Sequence, residues 1–122
     1  MSGGVLIRGG TILIVIDGGG AAITTGTKLE FPVPFACTVK GWVIVADQSG
    51  SIVVDIKRSA YNVTPSYSSI AGSEKPTLST AVANRDKTLT TWTTALAVDD
   101  ILQVIVDSAT TVTRAEIAIE IN

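Results

Sequence analysis

Apolar residues recur with a period of two along most of this chain, which is the signature of β-strands rather than helices. In residues 11–17, Ile12, Ile14 and Ile16 share one face while Leu13 and Val15 occupy the other, so both faces are apolar. A strand of that kind is normally covered on both sides, and in a small antiparallel sandwich the second cover can come from another subunit. Leu13 and Val15 are therefore the candidate subunit interface. Further on, Trp42, Ile44 and Ala46 alternate with Val43, Val45 and Asp47, and Ile52, Val54 and Ile56 alternate with Val53, Asp55 and Lys57. The intervening Asp47-Gln48-Ser49-Gly50 carries turn residues, so the pattern predicts a β-hairpin here. Leu102, Val104 and Val106 mark one face of a later strand, and Ala115, Ile117, Ile119 and Ile121 that of the last.

Between these segments the punctuation is glycine, proline and short polar residues. Residues 1–10 are glycine-rich and are expected to form a flexible N-terminal arm that orders against a neighbour, leaving 11–122 as the β-sandwich domain. Asp17-Gly18-Gly19-Gly20 ends a strand in a turn, with Asp17 bonding locally. A phosphate-cradling loop would need the glycines to open a helix, and Ala21-Ala22-Ile23-Thr24 continues in strand-like sequence instead. Pro32 and Pro34 cannot donate to a ladder, which confines residues 30–35 to an edge strand or connector. Residues 60–76 hold no sustained period and contain both tyrosines. Tyr61 and Tyr67 can either pin this long loop onto the sandwich or, with Trp92, offer aromatic surface to a ligand or subunit. Eight or nine strands at regular spacing, without an amphipathic helix, predict an all-β chain: a single antiparallel β-sandwich, jelly-roll-like.

Composition narrows the partners. The 122 residues are 46% hydrophobic but only 5% aromatic, so a single core is built from Val, Ile, Leu and Ala. A formal net charge of −2 with scattered Lys and Arg offers no basic patch for nucleic acid. No apolar run nears the roughly 18 residues of a membrane-spanning helix. The N-terminus does not read as a signal peptide, since Arg8 follows the apolar residues, so synthesis in the cytoplasm without secretion is expected.

Candidate chemistry is thin. With no His in the chain, the usual general base and the commonest metal ligand are both missing. Asp99-Asp100 is the adjacent carboxylate pair, and turn residues of that kind point to water rather than to each other. No Ser-x-x-Lys arrangement occurs, and acidic residues do not recur at calcium-loop spacing. Cys37 is the single cysteine and reads as a buried, inert thiol. Neither catalytic, cofactor-binding nor metal-ligating residues are predicted, and the expectation is a protein that is not an enzyme and carries no cofactor.

Several phrases together resemble a β-sandwich module of tailed-bacteriophage virion proteins. They are Asp17-Gly18-Gly19-Gly20 through Ile23-Thr24-Thr25-Gly26, Pro34-Phe35-Ala36-Cys37-Thr38, Ala46-Asp47-Gln48-Ser49-Gly50-Ser51-Ile52-Val53-Val54-Asp55-Ile56, Gly72-Ser73-Glu74-Lys75-Pro76-Thr77-Leu78-Ser79, Thr91-Trp92-Thr93-Thr94 and Val106-Asp107-Ser108-Ala109-Thr110-Thr111-Val112-Thr113-Arg114. The resemblance implies a structural protein on the outside of the particle, usually a homotrimer. Because the module fills nearly the whole chain and no long shaft precedes it, a capsid decoration (cement) protein is favoured, with the major capsid protein as its partner. The rival expectation is a tail-fibre tip that binds a host carbohydrate through Tyr61, Tyr67 and Trp92.

Overall fold

The computed structural model describes residues 2–122, which form nine strands and, among the described residues, no helix. They are β1 (Ser2–Arg8), β2 (Thr11–Asp17), β3 (Lys28–Pro32), β4 (Cys37–Ser59), β5 (Ser68–Ser69), β6 (Thr77–Asp86), β7 (Ala95–Leu96), β8 (Ile101–Thr110) and β9 (Arg114–Ile121). Every pairing is antiparallel.

The 23-residue β4 organises the molecule. Its first half pairs with β9, from Val39↔Ile121 to Ala46↔Ala115, and its second half pairs with β8, from Ser51↔Thr110 to Ser59↔Ile101. β6 follows it along the other side, pairing at Trp42–Val45 with its C-terminal half and at Ile52–Val53 with its N-terminal end. The first layer therefore runs β2, β9, β4 (first half), β6 (second half), and the second runs β3, β8, β4 (second half), β6 (first half). That alternation is the jelly-roll order. β1 adds a further strand beside β2.

Two expectations are corrected here. Residues 42–56 do not form a hairpin: Asp47-Gln48-Ser49-Gly50 lies within β4, where the strand turns the corner from one layer to the other. The turn residues serve that corner. Asp47 accepts from the backbone of Thr113 and Arg114 at 3.3 and 3.0 Å, and Gln48 donates to the Thr111 carbonyl at 2.5 Å. Gly50 is needed for close approach, since a Cβ there would sit 2.6 Å from the Val112 methyl and 2.8 Å from the Thr110 carbonyl. Residues 2–8, assigned by sequence to an arm, pair with β2 along its full length, from Ser2↔Asp17 to Arg8↔Thr11.

The alternating apolar sets meet between the layers. Ile12, Ile14, Ile16, Ile44, Ile117 and Ile119 face Ile52, Val54, Ile56, Leu102, Val104 and Val106, all of them buried in one cluster. β3 pairs only with β8 and so stands at a margin, as Pro32 requires. The margins of the two layers approach at Gly3, whose Cβ would be 3.2 Å from the Leu29 methyls. Asp17 accepts from the Gly19 N–H at 2.8 Å, and Gly19 and Gly20 both hold positive φ, so this loop is the turn its sequence implies.

Candidate interaction face

Period-two alternation fixes which residues of the first layer point outward: those between the buried isoleucines. Register then sets them side by side. One row crosses Leu6, Leu13, Ala118, Val43 and Arg85; the next crosses Gly4, Val15, Glu116, Val45 and Ala83. Apolar or side-chain-free positions fill both rows except at Glu116 and Arg85. Leu6 is 50% exposed and Val45 39%, while Leu13, Val15, Val43 and Ala118 are half-buried by their neighbours alone. The row from Leu6 to Val43 is continuously apolar on the outside of the fold, the second row is broken at Glu116, and nothing among the described residues covers this strip.

Glu116 and the charges at the ends of the strip are paired locally, while among the described residues the Arg85 side chain has no such partner. Arg114 donates to Glu116 at 2.5 Å at one end of the strip, and Lys87 bonds Glu120 at the other. Two shallow hollows flank the Val43–Val45 ridge. A cavity of about 160 Å³ is lined by Val45, Ala46, Asp47, Arg114 and Glu116, and one of about 320 Å³ by Val43, Ala83, Asn84 and Arg85. The Thr113 hydroxyl holds the Asp47 carboxyl below its ordinary range against the cost of desolvation, and the backbone N–H groups of Arg114 and Thr113 add to the lowering.

The outer face of the second layer is built differently. Here Lys28, Glu30, Gln103, Asp55 and Lys57 point outward with Ile101, Ile105 and Val53 half-buried among them, and β5 of loop 60–76 pairs with β4 at their edge. Asp55 is only 3% exposed; it accepts from the Ser69 hydroxyl at 2.6 Å and lies 3.7 Å from the Lys75 ammonium. Lys75 in turn bonds Asp107 at 2.8 Å, and that bond, with the field of Asp55, raises its pKa. The Tyr67 hydroxyl donates to Glu30, and Gln103 donates to the same carboxylate at 3.1 Å; both lower the Glu30 pKa, the tyrosine more. Asp100, expected to point to water from a surface turn, is buried: it accepts from the Ala97 N–H at 2.8 Å and from Arg58 at 3.1 Å. Asp99 takes the exposed turn position with φ 70°. Each of these carboxylates is thus committed to a partner within the fold, and among the described residues no group of His, Cys, Asp and Glu could hold a metal ion.

No family model matches the chain, and no curated protein matches it. Among solved structures it is similar to one described as "CBM4 structure and function", at 12% identity over 92% of this chain and 82% of that one. The TM-score is 0.35, too low for the likeness to carry any argument.

Of the residues singled out by sequence, Leu13 and Val15 lie within the apolar strip, between β1 and β9. The aromatic set does not form a platform. Trp92 is 8% exposed, with its indole N–H donated to the Glu74 carbonyl at 2.8 Å, and Tyr67 is tied to Glu30. Tyr61 alone of the three is open to solvent, at 65%. Sequence reasoning missed Leu6, Val43, Val45, Ala83 and Ala118 as members of the strip. The signal was present in the second apolar set of each strand, but only the pairing of β1, β2, β9, β4 and β6 places those sets side by side.

Proposed function

We propose that this protein is a non-enzymatic structural component of a tailed-bacteriophage particle, a capsid decoration protein that stabilises the outer shell as an oligomer. The observation that carries the reading is the uncovered apolar strip of the first layer, which includes the outward face of the doubly apolar β2 and calls for a cover from another chain. The sequence phrases shared with virion modules supply the biological setting. Covering the two apolar rows, roughly 320 Å² at a strand spacing of ~4.8 Å and a rise of ~3.3 Å per residue, is worth roughly 8 kcal/mol gross at ~25 cal/mol per Å². Association itself costs roughly 4–15 kcal/mol. A single contact of this size is therefore marginal alone, and a repeating shell, which presents many contacts at once, turns it into stable attachment.

The carbohydrate-binding alternative is weakened by the burial of Trp92 and the engagement of Tyr67. The test is a Leu13→Asp, Val15→Asp double variant. Both side chains point away from the core, so the variant keeps its β-sheet circular dichroism but is lost from purified particles. Incorporation at the native level would sink the reading.

A further inference from the structure

The assembly reading leaves open what covers the strip, and on that reading we propose that it is a second copy of this chain, packed face to face about a two-fold axis that crosses the strands between the two apolar rows. An axis in that position lays each row on the other row of the second copy. Leu13 then meets Val15, Val43 meets Val45, and Leu6 enters the space left over Gly4. Glu116 lies over the small Ala118 rather than over its own counterpart, which removes the like-charge contact that self-association would otherwise create.

The rim agrees with this arrangement. Glu120, beyond one row, comes opposite Arg114, beyond the other, so each end of the contact joins a carboxylate to a guanidinium. Both residues already have partners within their own chain, Lys87 and Glu116, and the pairing across the contact extends those into mixed-sign clusters at the two ends. An isologous contact needs a surface complementary to itself, and these two rows are.

Area decides in the same direction. Strands spaced ~4.8 Å apart with a rise of ~3.3 Å per residue give the whole face, charged rims included, a footprint of roughly 550 Å², of which the two apolar rows make up roughly 320 Å². Two copies bury roughly 1,100 Å², which passes the ~1,000 Å² that separates specific contacts from incidental ones. The pair hides both apolar strips and leaves both second layers, with their loops, facing shell and solvent.

The experiment is the solution mass of the purified full chain by light scattering across a concentration series, with Leu13→Asp and Ala118→Cys beside it. The native chain is expected to rise to the mass of two copies across the series, and Leu13→Asp is expected to raise the concentration of half-dissociation at least tenfold with unchanged circular dichroism. Ala118→Cys joins into a covalent pair with a short bifunctional maleimide, whereas Glu30→Cys on the second layer does not; the native Cys37 is buried and silent. A one-chain or three-chain mass for the native protein, or equal crosslinking at positions 118 and 30, would overturn the two-fold contact. If the chain is a monomer yet Leu13→Asp drops out of particles, the strip binds a different protein and only the self-contact falls. If Leu13→Asp is incorporated normally, the assembly reading itself falls.

Discussion

Glu74 ties together more of the loop region than any neighbour. Its carbonyl accepts the indole N–H of both Trp42, at 3.0 Å, and Trp92, at 2.8 Å, and its carboxylate accepts the backbone N–H groups of Thr91 and Thr90 at 2.5 and 2.7 Å. Donation from Thr91 first, then from Thr90 and the Thr91 hydroxyl, lowers the carboxyl from 4.5 to about 2 against a desolvation cost. A lowered folded-state pKa stabilises the fold above the unfolded value, and that contribution is lost as pH falls through the folded one. The melting temperature of the native chain should therefore exceed that of Glu74→Gln by a constant margin above pH 4.5, and the margin should close between 4.5 and about 2. A margin independent of pH would mean that these bonds do not form. Trp92→Phe should cost about 1 kcal/mol in denaturant unfolding, the size of one hydrogen bond, because Trp42 keeps the shared carbonyl satisfied. None of this could be read from sequence. An isolated Trp in a threonine-rich stretch has no period to say which way it points, and its partner is a backbone carbonyl 18 residues away.

At the scale of elements, alternation was legible wherever a strand has one buried face. The inward sets of β2, β8 and β9 are those the pattern assigns, because one core fixes each register. Hence Ile14→Ala should cost ~2–5 kcal/mol, while Leu13→Ala, on the outer face, should change the stability of the isolated chain by less than about 1 kcal/mol. Equal losses would place Leu13 in the core and remove the strip. The β4 corner was not legible. Asp-Gln-Ser-Gly carries the same residues whether the chain reverses as a hairpin or crosses to the other layer, and long-range pairing with β8 and β9 decides between them. Gly50→Ala separates the two. A hairpin turn would tolerate it, whereas the corner, with Val112 in contact, should lose ~1–3 kcal/mol through overpacking.

Across the whole molecule, the two layers divide the work. The second satisfies its outward carboxylates within the fold, against its own loop, while the first leaves an apolar strip that nothing among the described residues covers. Sequence analysis reached the sandwich and two members of the strip, Leu13 and Val15, since β2 announces both apolar faces by itself. The other members became neighbours only through the jelly-roll order, which no local pattern encodes. The proposed role makes the protein abundant in the particle. The decisive measurement is the number of copies per purified particle, by quantitative mass spectrometry against the major capsid protein. Near parity with the shell subunit is the predicted result. A few copies per particle, or none, would contradict the decoration role and move attention to loop 60–76 and its exposed Tyr61.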